Sequence, residues 1–94
     1  MHPQVDTAKK AKRALSLAQN IVRDIEAGAH SAGDRLPRED EMLARYEVAR
    51  ATLREALRFL ELQGVIHLQL GRGGGPVVAR PQTGDFANSL SLIL

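Results

Sequence analysis

Ninety-four residues with 44% hydrophobic content, 3% aromatic content and a formal net charge of +2 describe one small domain with a modest core. The chain has no cysteine, which excludes disulfides and thiolate metal ligands. No apolar run approaches the roughly 18 residues of a membrane span, and the basic N-terminal stretch leads into no apolar signal core, so a cytoplasmic location is expected.

In chain order, residues 1–8 are polar, contain Pro3 and show no period, and disorder is expected there. From Lys9 to Ala27 the apolar residues Ala11, Ala14, Leu15, Ala18, Ile21, Val22 and Ile25 recur three or four apart, which predicts a helix capped by Gly28. A turn-rich link from His30 to Arg35 leads to Leu36-Pro37. A short second helix is predicted from about Arg38, with Pro37 in its first turn. Glu39, Asp40 and Glu41 then stand where the helix dipole favours negative charge. Met42, Leu43 and Tyr46 are its expected buried residues, and Glu47-Val48 interrupts the period as a tight turn.

A third helix is predicted from Ala49 to Gln63, with Leu53, Ala56, Leu57 and Leu60 on one face and Gly64 closing it. The period then becomes alternating. Ile66, Leu68 and Leu70 are expected on the buried side of a strand, with His67 and Gln69 on the other. Residues 71–76 form a glycine-rich loop and Val77 to Ala79 a return strand. The domain is therefore placed at 9–80, with a linker following. Phe86, Leu90, Ile93 and Leu94 lie at helical spacing, so residues 81–94 are expected to be a linker and the start of a truncated helical effector domain of a longer protein.

The predicted class is mainly α with a small β-hairpin. The order helix, short helix, tight turn, helix, hairpin is that of a winged helix-turn-helix with three helices and a two-stranded wing. In such a motif the second helix of the helix-turn-helix pair, here the third in chain order, enters the major groove with its N-terminal residues at base edges. Arg50 opens the third helix, where a guanidinium can fork onto O6 and N7 of guanine. Ala51 and Thr52 are small enough for close approach to a thymine methyl, and Arg54 lies one turn on, within reach of a phosphate or a second base. In the loop, Gly71 and Gly73 let the backbone come close to a phosphate, and Arg72 can neutralise charge or enter a minor groove. A second basic run, Lys9, Lys10, Lys12 and Arg13, opens the first helix and reads equally well as a solvated face.

Other chemistries find little support. Gly71-Arg72-Gly73 begins a GxGxxG, but Pro76 takes the last glycine's place and a strand follows where a helix is required. His2, His30 and His67 have no metal-motif spacing, and no nucleophile–base pair is apparent, so neither a metal, a cofactor nor an enzymatic activity is expected. A protein-interaction module would favour apolar or aromatic anchors at Arg50, Arg54 and Arg72. A structured-RNA binder would offer exposed stacking aromatics, and none is identifiable.

Four segments together resemble the GntR family of bacterial transcription regulators: Leu36 to Leu43, Val48 to Leu57, Leu60 to Ile66, and Gly71 to Gly75. The glycine-rich wing and the apolar tail are most similar to its FadR-type branch. The resemblance implies a homodimer that binds an inverted-repeat operator in double-stranded DNA. It also implies a helical C-terminal domain, absent here, that binds a small-molecule effector. By the same resemblance Arg50, Thr52 and Arg54 are the main DNA contacts, with Gly71 and Arg72 at the wing.

The sequence departs from that pattern at four places. Ala49 stands where Ser or Thr is usual, losing a cap worth about 1 kcal/mol. Asp40 replaces an arginine common in the FadR-type branch, and Arg38, where serine is usual, supplies a compensating cation. Glu47 replaces the turn glycine, at a cost of roughly 1–2 kcal/mol if that residue is left-handed.

Overall fold

Ala14, Leu17, Ala18, Ile21, Val22 and Ile25 line one side of the first helix and are all buried, and covering that stripe organises the rest of the chain. The computed structural model describes residues 3–28 and 30–79. Its elements are α1 (Pro3–Ala27), α2 (Glu39–Tyr46), α3 (Arg50–Leu62), β1 (Ile66–Gln69) and β2 (Gly75–Val78). This is the predicted winged arrangement of three helices and a two-stranded antiparallel hairpin. Helix α1 packs chiefly on α3, whose Leu53, Ala56, Leu57 and Leu60 face it as the period predicts. Met42 from α2, Leu36 from the link, and Val65, Ile66 and Val78 complete the core.

Helix α1 starts at Pro3, well before the periodic stretch, so residues 3–8 are helical where disorder was expected. Proline suits a first turn because its missing N–H has no intrahelical partner there, and Ala8 to Lys12 are good helix formers. Leu17, not singled out from the period, is 4% exposed. Helix α2 starts one residue later than predicted. Arg38 is its N-cap with extended backbone, so Pro37 lies ahead of the helix rather than in its first turn. Only Met42 of α2 is fully buried; Leu43 and Tyr46 are half-buried against the core. The linker and apolar tail expected at 81–94 lie outside the described residues.

The turn between α2 and α3 depends on one residue. Glu47 has φ 52° and ψ 51°, the left-handed conformation, and its N–H donates to the carbonyl of Leu43 at 3.0 Å. That closes α2 and redirects the chain so that Val48 packs inward and α3 starts at Arg50. Glu47 therefore carries the left-handed cost of roughly 1–2 kcal/mol.

The hairpin pairs Ile66 with Val78 and Gln69 with Gly75. Contrary to the alternating pattern, only Ile66 of β1 is buried; Leu68 is 41% and Leu70 95% exposed. Beyond Ile66 the strand leaves the core, so the alternation continues with no buried apolar layer beneath it. Strand β2 is covered instead by the link between α1 and α2. Gly33 and Leu36 donate to the carbonyls of Val78 and Pro76 at 2.7 and 3.0 Å, and Val78 donates to Asp34 at 2.8 Å. That third short segment buries both Val77 and Val78, and it fixes the wing's angle to the body.

Candidate nucleic-acid interface

Helix α3 buries one face and leaves the arginine row exposed. Arg50 and Arg54 lie one turn apart at its start, with side chains 51% and 66% exposed. Both reach Glu39 in the first turn of α2. Arg50 donates to Oε2 at 3.0 Å and Arg54 to Oε1 at 2.9 Å, so one carboxylate holds two guanidinium groups side by side. The hydrogen bond from Arg54, helped by the positive charge of Arg54 and then of Arg50, outweighs the opposing desolvation and holds Glu39 below its ordinary range. The pairs therefore persist at neutral pH and are lost only as pH falls through that lowered value.

In the sequence Glu39 is a helix-start charge and nothing more. Its separation from Arg50 and Arg54 gives no local signal, because only the crossing of α2 and α3 brings them together.

The remaining predicted residues fall into two groups. Ala51 is exposed and Thr52 half-buried. Thr52 sits away from the Glu39 side, lining hollows between α3 and the N-terminal half of α1. Arg38 is exposed and, with Glu41, lies beside the base of the wing, lining a hollow with Arg35 and Gly74 to Val77. Gly71, Arg72 and Gly73 are exposed at the wing tip. Gly71 and Gly73 have φ of 93° and 76°, a conformation that only glycine adopts without strain. Gly74 is required for a different reason. A Cβ there would lie 2.2 Å from the carbonyl oxygen of Gln69, across the mouth of the turn.

Arg35, passed over in the sequence as part of the link, bridges to Val77 and donates from its guanidinium to the carbonyl of Gly73. It ties the wing tip to the body.

On the far side, the Tyr46 hydroxyl donates to Asp24 at 2.5 Å and joins α2 to α1. Burial, then the bond to Asp24 and its charge, push the Tyr46 phenol up to about 12. Among the described residues, no group of three His, Asp or Glu side chains is placed to hold a metal ion. No described helix is long and apolar enough to cross a membrane.

Residues 13–75 match the model of the family described as bacterial regulatory proteins, gntR family. An uncharacterized HTH-type transcriptional regulator of Bacillus subtilis, YcbG, is 41% identical over 71 residues, covering 76% of this chain and 30% of that protein. The Bacillus subtilis HTH-type transcriptional regulator TreR is 34% identical over 77 residues, covering 82% of this chain and 32% of that protein. Among solved structures, the possible transcriptional regulator YydK of Bacillus subtilis superposes with a TM-score of 0.67 at 30% identity. That likeness covers 74% of this chain and 30% of YydK. The chain thus spans about a third or less of the length of these relatives.

Proposed function

The chain belongs to the gntR family of bacterial regulatory proteins and carries its winged helix DNA-binding domain; from that premise we propose that it reads an operator through α3. In this reading α3 lies in the major groove, Arg50 forks onto a guanine, and Arg54 takes a second base or a phosphate. Ala51 and Thr52 permit close approach. Arg38 meets the backbone beside the wing and offsets Asp40, while Gly71, Arg72 and Gly73 sit at the adjacent groove.

The observation that carries the reading is the carboxylate of Glu39, which holds Arg50 and Arg54 together on the exposed face of α3. A guanidinium fixed before binding loses less rotamer freedom when it engages a base edge. The same exposed face is cationic, without the apolar anchors a protein interface would use.

At the level of the whole regulator, we place the protein in the cytoplasm as a homodimer on an inverted repeat, with an effector-binding domain beyond this chain. The FadR-type branch is the assignment its glycine-rich wing favours. A single module makes fewer phosphate contacts than a dimer, so this chain alone binds weakly, and the binding it has is largely electrostatic and weakens with salt.

The test is selection of bound sequences from a random duplex pool at moderate salt. Enrichment of a half-site or palindrome is expected. Salt-sensitive binding without enrichment would remove base reading from this chain, and no binding at all would refute the proposal.

A further inference from the structure

The basic run of α1 has no place in the reading above. Among the described side chains of α1 the first buried one is Ala14, and those from Thr7 to Arg13 lie outside the core. Lys9, Lys10, Lys12 and Arg13 are exposed there. Among the described residues, ion pairs join Glu39 to Arg50 and Arg54, and none involves these four cations.

Lys9, Lys12 and Arg13 form one wall of an open cleft of about 740 Å³. The opposite wall is the turn between α2 and α3, Glu47 to Ala49, with Thr52. Round the helix, Lys10 and Arg13 face Thr52 and Glu55 across a second hollow. Among its described lining residues, the first cleft therefore sets three cations against the single carboxylate of Glu47. It opens beside the start of α3, where Ala49 supplies no side-chain cap bond.

We infer that this cleft holds the DNA backbone flanking the bases read by α3, so that α1 is a third, sequence-independent contact surface alongside α3 and the wing. The inference rests on the proposed reading by α3, which places the backbone at the start of that helix. Three cations facing one carboxylate match a polyanion. Ala49 offers a phosphate no side-chain donor at the start of α3, so a contact there falls to Lys9, Lys12 and Arg13. The placement also accounts for a basic helical extension ahead of Ala14 that buries little apolar surface.

The test measures duplex affinity against salt for the parent chain and for a Lys9→Gln, Lys12→Gln double variant, on the selected sequence and on random duplex. Glutamine keeps the helix propensity, and circular dichroism checks that the fold is unchanged. Each lost phosphate contact lowers the log–log salt slope by about 0.9, so a reduction of about 1–2 is expected. Affinity should fall several-fold on both duplexes, leaving their ratio unchanged. Glu47→Gln, which removes the carboxylate from the same cleft, should strengthen binding to both. Arg23→Gln, the loss of one charge further along α1, should lower the slope by much less than half as much.

An unchanged slope in the double variant would overturn the inference, as would a loss confined to the selected sequence or an equal loss per charge in Arg23→Gln. Failure of the parent to bind any duplex would instead defeat the reading by α3 on which this rests.

Discussion

Glu47 gives the sharpest quantitative test of how this chain makes its turn. It is the only described non-glycine residue with positive φ, and its side chain is exposed, so replacing it disturbs little packing. Holding an L-residue left-handed costs roughly 1–2 kcal/mol. Glycine removes that cost but is freer in the unfolded chain, which offsets about 0.4–1 kcal/mol of the gain. Glu47→Gly should therefore stabilise the domain by about 0.5–1 kcal/mol, raising Tm by about 2–8 °C for a chain of this size. Glu47→Ala is the control, because it removes the same carboxylate and keeps the backbone cost. Thermal and urea unfolding of the three proteins at matched salt decide the matter. If Glu47→Gly is no more stable than Glu47→Ala, the left-handed account of the turn is wrong.

The wing offers two further tests. Gly74→Ala forces a Cβ against the carbonyl of Gln69 and should cost about 1–3 kcal/mol, with amide exchange accelerated from Gln69 to Gly75 before the helices are affected; an unchanged Tm would show that the turn yields. Arg35→Ala removes the bond to Gly73 and should speed exchange at Gly71 to Gly73 while changing stability by no more than about 1 kcal/mol. Protection at the tip equal to the parent's would exclude the tether. Tyr46 is the sole tyrosine in a chain without tryptophan, so its ionisation can be followed by ultraviolet absorbance, and the midpoint should lie near 12. Because the fold favours the neutral phenol, the stability it contributes is complete below about 10 and lost as pH rises through about 12. A midpoint near 10, or the same alkaline loss in Tyr46→Phe, would contradict the contact with Asp24.

The helices were legible because their stripes are strong: Leu53, Ala56, Leu57 and Leu60 repeat at helical spacing, and all four are buried. Glu47 was legible as a turn because it falls where a hydrophobic period breaks. Leu68 and Leu70 misled because alternation records which way a side chain points along a strand, and says nothing of whether a core lies beneath it. Glu39 and Arg35 were not legible at all. Their partners lie far along the chain, and each role arises only when α2 meets α3 or the link meets β2.

Base reading by Arg50 at the start of α3 is the step on which the proposed function turns. Its most direct test is the affinity of the parent and of Arg50→Ala for the selected half-site and for each of its single-base variants, at one fixed salt concentration. The account predicts that Arg50→Ala loses about 1–3 kcal/mol on the parent site and flattens discrimination at one guanine position, leaving preferences elsewhere in place. A uniform loss across all sequences, with every preference retained, would make Arg50 a phosphate contact and contradict the claim.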